Sequence, residues 1–193
     1  MDAITLVPSQ TALLVVDVQE KLLPALHAPD AARMLRAIEL LLETAQRMAM
    51  PVFVTEQYPS GLGPTVPSLA QRLGSMSPRP PVYAKTVFSA LAPTEVAHGL
   101  MDVGARSVIV VGAEAHICVF MTARDLMGRG FHAHVPFDAV ASRDPACKAT
   151  ALAALASHGV TVTTTETAVF DLLGDARNLH FRPLSKLVRD LPG

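Results

Sequence analysis

The chain has 193 residues, half of them hydrophobic, which suits one domain spanning residues 1–193 with a sizeable core. Lys and Arg (16) nearly cancel Asp and Glu (17), and neither sign gathers into a block, so charge points to no nucleic acid and no membrane surface as partner. Met1 to Thr11 lacks the basic-then-apolar pattern of a secretory signal, and no apolar run approaches the roughly 20 residues of a spanning helix.

The first predicted element is "TALLVVDVQ", where five apolar residues run directly into Asp17, as in a strand buried on both faces of a parallel sheet. "APDAARMLRAIELLLETAQRMAM" follows, with Asp30 able to cap its start and Leu35, Ile38, Leu42, Ala45 and Ala49 at helical spacing until Pro51 stops it. "PVFVTEQ" is a second strand. The proline- and glycine-rich "YPSGLGPTVPS" after it is expected to hold neither helix nor sheet and to form a surface loop. A third strand lies around Val82 to Ala84, a helix capped by Thr94 ends near Gly104, and "RSVIVVG" is the fourth strand. The alternation continues with a helix from about His116 to Met127, a strand in "FHAHVPF", the helix "DPACKATALAALASHG" and the strand "VTVTT". The C-terminal "FRPLSKLVRDLPG" carries Leu184, Leu187, Val188 and Leu191 at helical spacing, fit to dock on its own domain or a neighbour.

Six strands alternating with helices predict an α/β fold: a three-layer, doubly wound, Rossmann-like parallel sheet of six strands with helices on both faces. Such sheets bind ligands beyond the carboxyl ends of their strands, where the strand order reverses. Asp17, Lys85 and Cys118 follow the first, third and fourth strands and so fall on that edge. Each alone has an ordinary reading: a turn aspartate, a solvated lysine, a small buried cysteine. Together they make a reactive set. A helix start and a neighbouring lysine would lower the Cys118 thiol pKa, and Asp17 would take and return a proton.

Other residues at this edge are weaker candidates. Gln19, Glu56, Gln57, Tyr58 and Phe88 are positioned to line a substrate pocket. His116, two residues before Cys118, suits a pocket or surface role better than pairing with the thiol. His132 and His134 share a strand face but supply only two metal ligands, so no metal is expected there. Cys147 reads as a structural thiol apart from the reactive edge. "GLG" at Gly61 to Gly63 fits a pocket cover or a subunit contact rather than a phosphate cradle. The two cysteines have no Cys-x-x-Cys spacing and read as thiols of a reducing cytoplasm.

"LLVVDVQ", "AKTVFSA" and "VVGAEAHICVFMTARDLMGRGFHAHVPFDAVASR" resemble, in order, three motifs of the isochorismatase-like cysteine hydrolases, and the likeness covers nearly the whole chain. The resemblance implies a catalytic triad of Asp17, Lys85 and Cys118 and a cis peptide between Ala113 and Glu114. It further implies an oxyanion hole from the backbone N–H groups of Glu114 and Cys118. Cys118 would attack a small amide, carbamoyl or ester-like substrate and pass through a thioester. Nicotinamidases of the family place a metal-binding Asp-x-His after the second strand, whereas "VTEQYPSGLGPTVPS" has no histidine, so neither metal nor other cofactor is implied. Ala115 stands where many relatives carry Thr. Isochorismatases proper cleave a vinyl ether without a cysteine nucleophile, and Cys118 points away from that reaction. The segment "TEQYPSGLGPTVP" is similar to the isochorismatase domain-containing subgroup, whose substrates are unassigned. The family's habit of assembly implies a homo-oligomer, a dimer or larger. The alternative of a different class is a noncatalytic regulatory or interaction protein on the same scaffold, with Cys118 as a redox-sensitive thiol.

Overall fold

The chain builds its sheet outward in two directions from its first strand. The computed structural model describes residues 5–191; the first four residues of the segment read above for a secretory signal, and the last two of the one-domain span, lie outside the described residues. Strand β1 (Thr11–Val16) is buried at every position, because its alternate side chains enter two different cores. It pairs in parallel with β2 (Val52–Gln57) on one side and β4 (Ser107–Ala113) on the other. Beyond β2 lies β3 (Val82–Lys85); beyond β4 lie β5 (His132–Pro136) and β7 (Thr161–Thr163). The order β3-β2-β1-β4-β5-β7 is all parallel, so the predicted six-stranded doubly wound sheet is present. A two-residue strand, β6 (Val140–Ala141), adds to it by pairing with Gly112 and Ala113 at the end of β4.

The helices cover both faces. Leu13, Val15, Ile109 and Val111 pack beneath α1 (Ala28–Arg47), α3 (Pro67–Gly74), α7 (Thr165–Leu173) and α8 (Phe181–Arg189). Leu14, Val16, Val108 and Val110 pack beneath α4 (Thr94–Asp102), α5 (Phe120–Gly128) and α6 (Pro145–Ser157). Each such side chain removed from water contributes about 1.5–3 kcal/mol. Leu184 and Val188 of α8 are buried in the first of these cores, so the C-terminal helix docks on its own chain.

Several local expectations are corrected. The loop after β2 winds a single turn, α2 (Pro59–Leu62), and Pro67 opens α3, because proline in the first turn costs no hydrogen bond and presets φ. Asp30 does not cap α1: His27 occupies that position, Pro29 follows at the start, and Asp30 sits in the first turn, 3.4 Å from His27 Nδ1. Thr94 begins α4 rather than capping it, with Pro93 in the cap position. Cys118 lies in a π-helical turn, Ala115–Val119, that precedes α5 rather than in the first turn of an α-helix.

Candidate functional site

The strand order reverses between β1 and β4, and the residues leaving these two strands meet there. Val16 pairs with Gly112 so closely that a Cβ on Gly112 would lie 2.1 Å from the Val16 carbonyl oxygen, and Gly112 also has φ 111°; only glycine fits. Immediately beyond, Asp17 adopts φ 52° and turns its side chain into the interior, where the residue is fully buried. Lys85 ends β3, two strands away, a separation of about 10 Å that only a long side chain bridges. Its Nζ donates to Asp17 Oδ2 at 2.6 Å, and neither side chain has any solvent exposure.

The pair is held from all sides. Thr55 Oγ1 donates to Asp17 Oδ1 at 2.8 Å. Lys85 Nζ also donates to Gln57 Oε1 at 2.7 Å and to the Phe88 carbonyl at 3.0 Å. Burial pushes the Asp17 carboxyl above the ordinary carboxylate range, while the Lys85 charge, hydrogen bonds from Lys85, the Cys118 thiol and Thr55 pull it back down. The thiol itself is pushed up to about 12, first by burial and then by the Asp17 charge, with Lys85 acting in the opposite direction. The sequence led to the expectation of a lowered thiol pKa. That expectation fails because Cys118 is only 7% exposed, shares its site with a carboxylate, and stands in a π turn rather than at an α-helix start.

The Ala113–Glu114 peptide is cis. After it, the Glu114 carbonyl accepts from the N–H groups of Ile117 and Val119 and passes over that of Cys118 between them. Thr122 Oγ1 donates to the Cys118 carbonyl at 2.6 Å and accepts from the Ala90 N–H at 2.9 Å, fixing the turn to the segment after β3. The structure thus brings Asp17, Lys85, Cys118 and Glu114 together.

The pocket candidates divide. Gln19 is fully buried: its Nε2 donates to the carbonyls of Gln57 and Gly63, and its Oε1 accepts from the Gln57 N–H. Glu56 Oε1 accepts from the N–H and hydroxyl of Thr65, so both side chains brace the loop that contains Gly61 to Gly63. Gln57 positions Lys85. Tyr58 and Phe88 are more than half exposed, and an open cavity of about 480 Å³ beside Lys85 is lined by Tyr58, Pro59, Val87 and Pro93. A larger cavity, about 590 Å³, opens at the opposite edge around Pro51, Phe53 and Pro81 and touches none of Asp17, Lys85 and Cys118. His116 Nδ1 lies 2.9 Å from Ser142 Oγ. Cys147 stands in the first turn of α6, its Sγ 3.8 Å from Asp144 Oδ2. Thr55 and Thr122 were not singled out from sequence, although Thr122 stands one helical turn beyond Cys118 and Thr55 lies on the same strand as Gln57.

Fold and site define the class: a doubly wound α/β protein with a buried cysteine set against a carboxylate–ammonium pair at the switch point. The Isochorismatase domain model matches residues 11–167, and the chain belongs to that family. Membership suggests a hydrolase. Isochorismatase domain-containing protein 2 from Bos taurus is 36% identical over 187 residues, covering 95% of this chain and 85% of its own. Among solved structures, the MAR1 ribonuclease from Caenorhabditis elegans superposes with a TM-score of 0.89 at 33% identity, covering 98% of this chain and 95% of its own. The nicotinamidase SaPncA from Staphylococcus aureus shares the fold, with a TM-score of 0.70, 23% identity and coverage of 81% and 99%. Among the described residues no helix is long and apolar enough to cross a membrane.

Proposed function

We propose that the protein is a cysteine hydrolase that cleaves a small amide, carbamoyl or ester-like substrate through a thioester on Cys118, with Asp17 and Lys85 completing the triad. The observation that carries the reading is the shared carboxylate: Asp17 receives hydrogen bonds from Thr55 and Lys85 and meets the Cys118 thiol in the same buried pocket. As sulfur attacks the carbonyl carbon, its proton passes to Asp17 and the charge left on sulfur faces the Lys85 ammonium. The backbone N–H groups of Glu114 and Cys118 receive the oxyanion. Collapse expels the leaving group with the proton from Asp17. Asp17 then deprotonates a water that attacks the thioester, releasing the acid and restoring the thiol. No step requires a metal or an organic cofactor.

Against the redox-sensor alternative stands the burial of Cys118, since oxidation selects accessible thiols. The name of the C. elegans relative supplies a second reading, cleavage of RNA. The formal net charge of −1, with no basic block, favours a small molecule over a polyanion. We further propose a homo-oligomer, on the strength of the family likeness, and a cytoplasmic location, on the strength of two free cysteines without Cys-x-x-Cys spacing.

The test is a panel of small amides, carbamoyl compounds, esters and RNA offered to the wild type and to Cys118→Ala. The expected result is turnover of a small substrate by the wild type, an acyl adduct on Cys118 by intact mass, and no turnover by the variant. An identified substrate that Cys118→Ala still hydrolyses at the wild-type rate removes the thiol from the mechanism. Cleavage of RNA alone replaces the substrate class.

A further inference from the structure

The turn that carries Cys118 is tied down by the two residues that follow β6. Ser142, fully buried, places its Oγ 2.9 Å from His116 Nδ1, and the backbone N–H and Nε of Arg143 both donate to Glu114 Oε2, at 2.9 and 3.0 Å. The corner is itself rigid. The Ser142 carbonyl accepts from the His27 N–H at 3.0 Å, and Asp144 caps α6 through the Ala146 N–H at 2.8 Å. Because β6 pairs with Gly112 and Ala113, the last two residues of β4, strand, corner and turn are joined by hydrogen bonds.

The chemistry of this contact is unequal. The Glu114 side chain is 7% exposed, whereas that of Arg143 is 59% exposed. Glu114 is therefore a nearly buried carboxylate on the very residue whose N–H is assigned above to the oxyanion hole. Left uncompensated, its negative charge would oppose the negative charge that develops on the substrate oxygen, and at low dielectric that opposition is strong.

We propose that Arg143 is a positioning residue for acyl transfer: it neutralises Glu114 and fixes the turn so that the Glu114 and Cys118 N–H groups meet an oxyanion. The proposal rests on the acyl-transfer reading. It sets Arg143 apart from a substrate contact, since its effect passes through Glu114.

Two probes of Cys118 separate the possibilities. Acetylation by p-nitrophenyl acetate, followed by released nitrophenol and intact mass, passes through an oxyanion; alkylation by iodoacetamide does not. Both probes are uncharged, so Arg143 cannot act on them by attracting substrate charge. Arg143→Met slows acetylation about tenfold or more while alkylation stays within about twofold of wild type. Adding Glu114→Gln, which removes the stranded charge, recovers most of that loss, and Arg143→Lys, which keeps the charge, loses less than Arg143→Met. Acetylation and alkylation falling in parallel, or no recovery with Glu114→Gln, overturns the proposal, because either result makes Arg143 a plain structural support. Acetylation of Arg143→Met at the wild-type rate refutes it alone, and a wild type that never acquires an acetyl group on Cys118 refutes the acyl-transfer reading as well.

Discussion

Replacing Lys85 with Met separates what the buried pair does for stability from what it does for chemistry. The two side chains meet at 2.6 Å with no solvent exposure, so the substitution strands the Asp17 carboxylate in the interior. Breaking a buried pair by removing one partner costs about 3–5 kcal/mol. The stranded group can escape by binding a proton, which for a carboxyl with an ordinary pKa of 3.8 costs about 4.4 kcal/mol at pH 7; because the wild-type carboxyl is already raised, this is an upper bound on the loss by that route. The escape leaves a signature. Without Lys85 the largest influence holding the Asp17 carboxyl down is gone, and its folded pKa rises further above the unfolded value. The folded variant then binds more protons than the unfolded chain, and its stability falls with rising pH above the carboxylate range, by up to about 1.4 kcal/mol per unit. Urea unfolding at pH 5 and pH 8 measures this; the chain has no Trp, so circular dichroism follows the transition. The double variant Asp17→Leu with Lys85→Met regains most of the lost stability, while hydrolysis stays at least a thousandfold down in both. A loss below about 1 kcal/mol, or one equal at the two pH values, would refute the account of a desolvated, mutually dependent pair.

Thr55→Val removes the hydroxyl that stabilises the Asp17 carboxylate, so the carboxyl pKa rises. In the proposed mechanism hydrolysis requires ionised Asp17 and is lost as pH falls through that pKa, so the acid limb of the rate profile moves to higher pH in the variant; an unmoved limb would take Asp17 out of the role of base. Gly112→Ala drives a Cβ into the Val16 carbonyl and forces an unfavourable φ, so the variant is expected to lose several kcal/mol and unfold well below the wild type on heating. A melting temperature within about 2 °C of wild type would show that β1 and β4 can part at the switch point without cost.

The fold was legible because burial and alternation act locally. Five apolar residues rich in Val and Leu before Asp17 suit a strand covered on both sides, and the regular return of helical spacing between such runs favours a parallel sheet. The same rule placed Asp17, Lys85 and Cys118 on one edge. Illegible were the features that depend on what tertiary structure does to a residue. α2 hides in a proline-rich stretch in which Pro59 falls at its start, as Pro67 falls at the start of α3. Gln19 and Glu56 stand at the carboxyl edge of the sheet, yet Gln19 is spent on backbone groups of Gln57 and Gly63, and Glu56 Oε1 on the N–H and hydroxyl of Thr65. Thr55 has no motif. Its importance comes from the parallel register that sets Val16 against it and so brings Asp17 alongside.

The thiol pKa shows why proximity to a lysine is a poor guide in a buried site. Lys85 cannot act on Cys118 alone, because its ammonium already answers Asp17 at 2.6 Å, and the carboxylate and the lost hydration outweigh it. A thiol pushed up to about 12 is nonetheless compatible with attack, since that value describes loss of the proton to water. In the proposed mechanism the proton moves within the site, from sulfur to Asp17. Before the transfer the pocket holds a carboxylate, an ammonium and a thiol; after it, a carboxylic acid, an ammonium and a thiolate. The net charge is zero in both states, so no new charge is created in the low-dielectric interior, and burial, which disfavours both charged forms, weighs on the two states alike. Burial, which raises both the Asp17 carboxyl and the Cys118 thiol, therefore keeps the nucleophile protonated at rest while leaving its proton one short step from its acceptor.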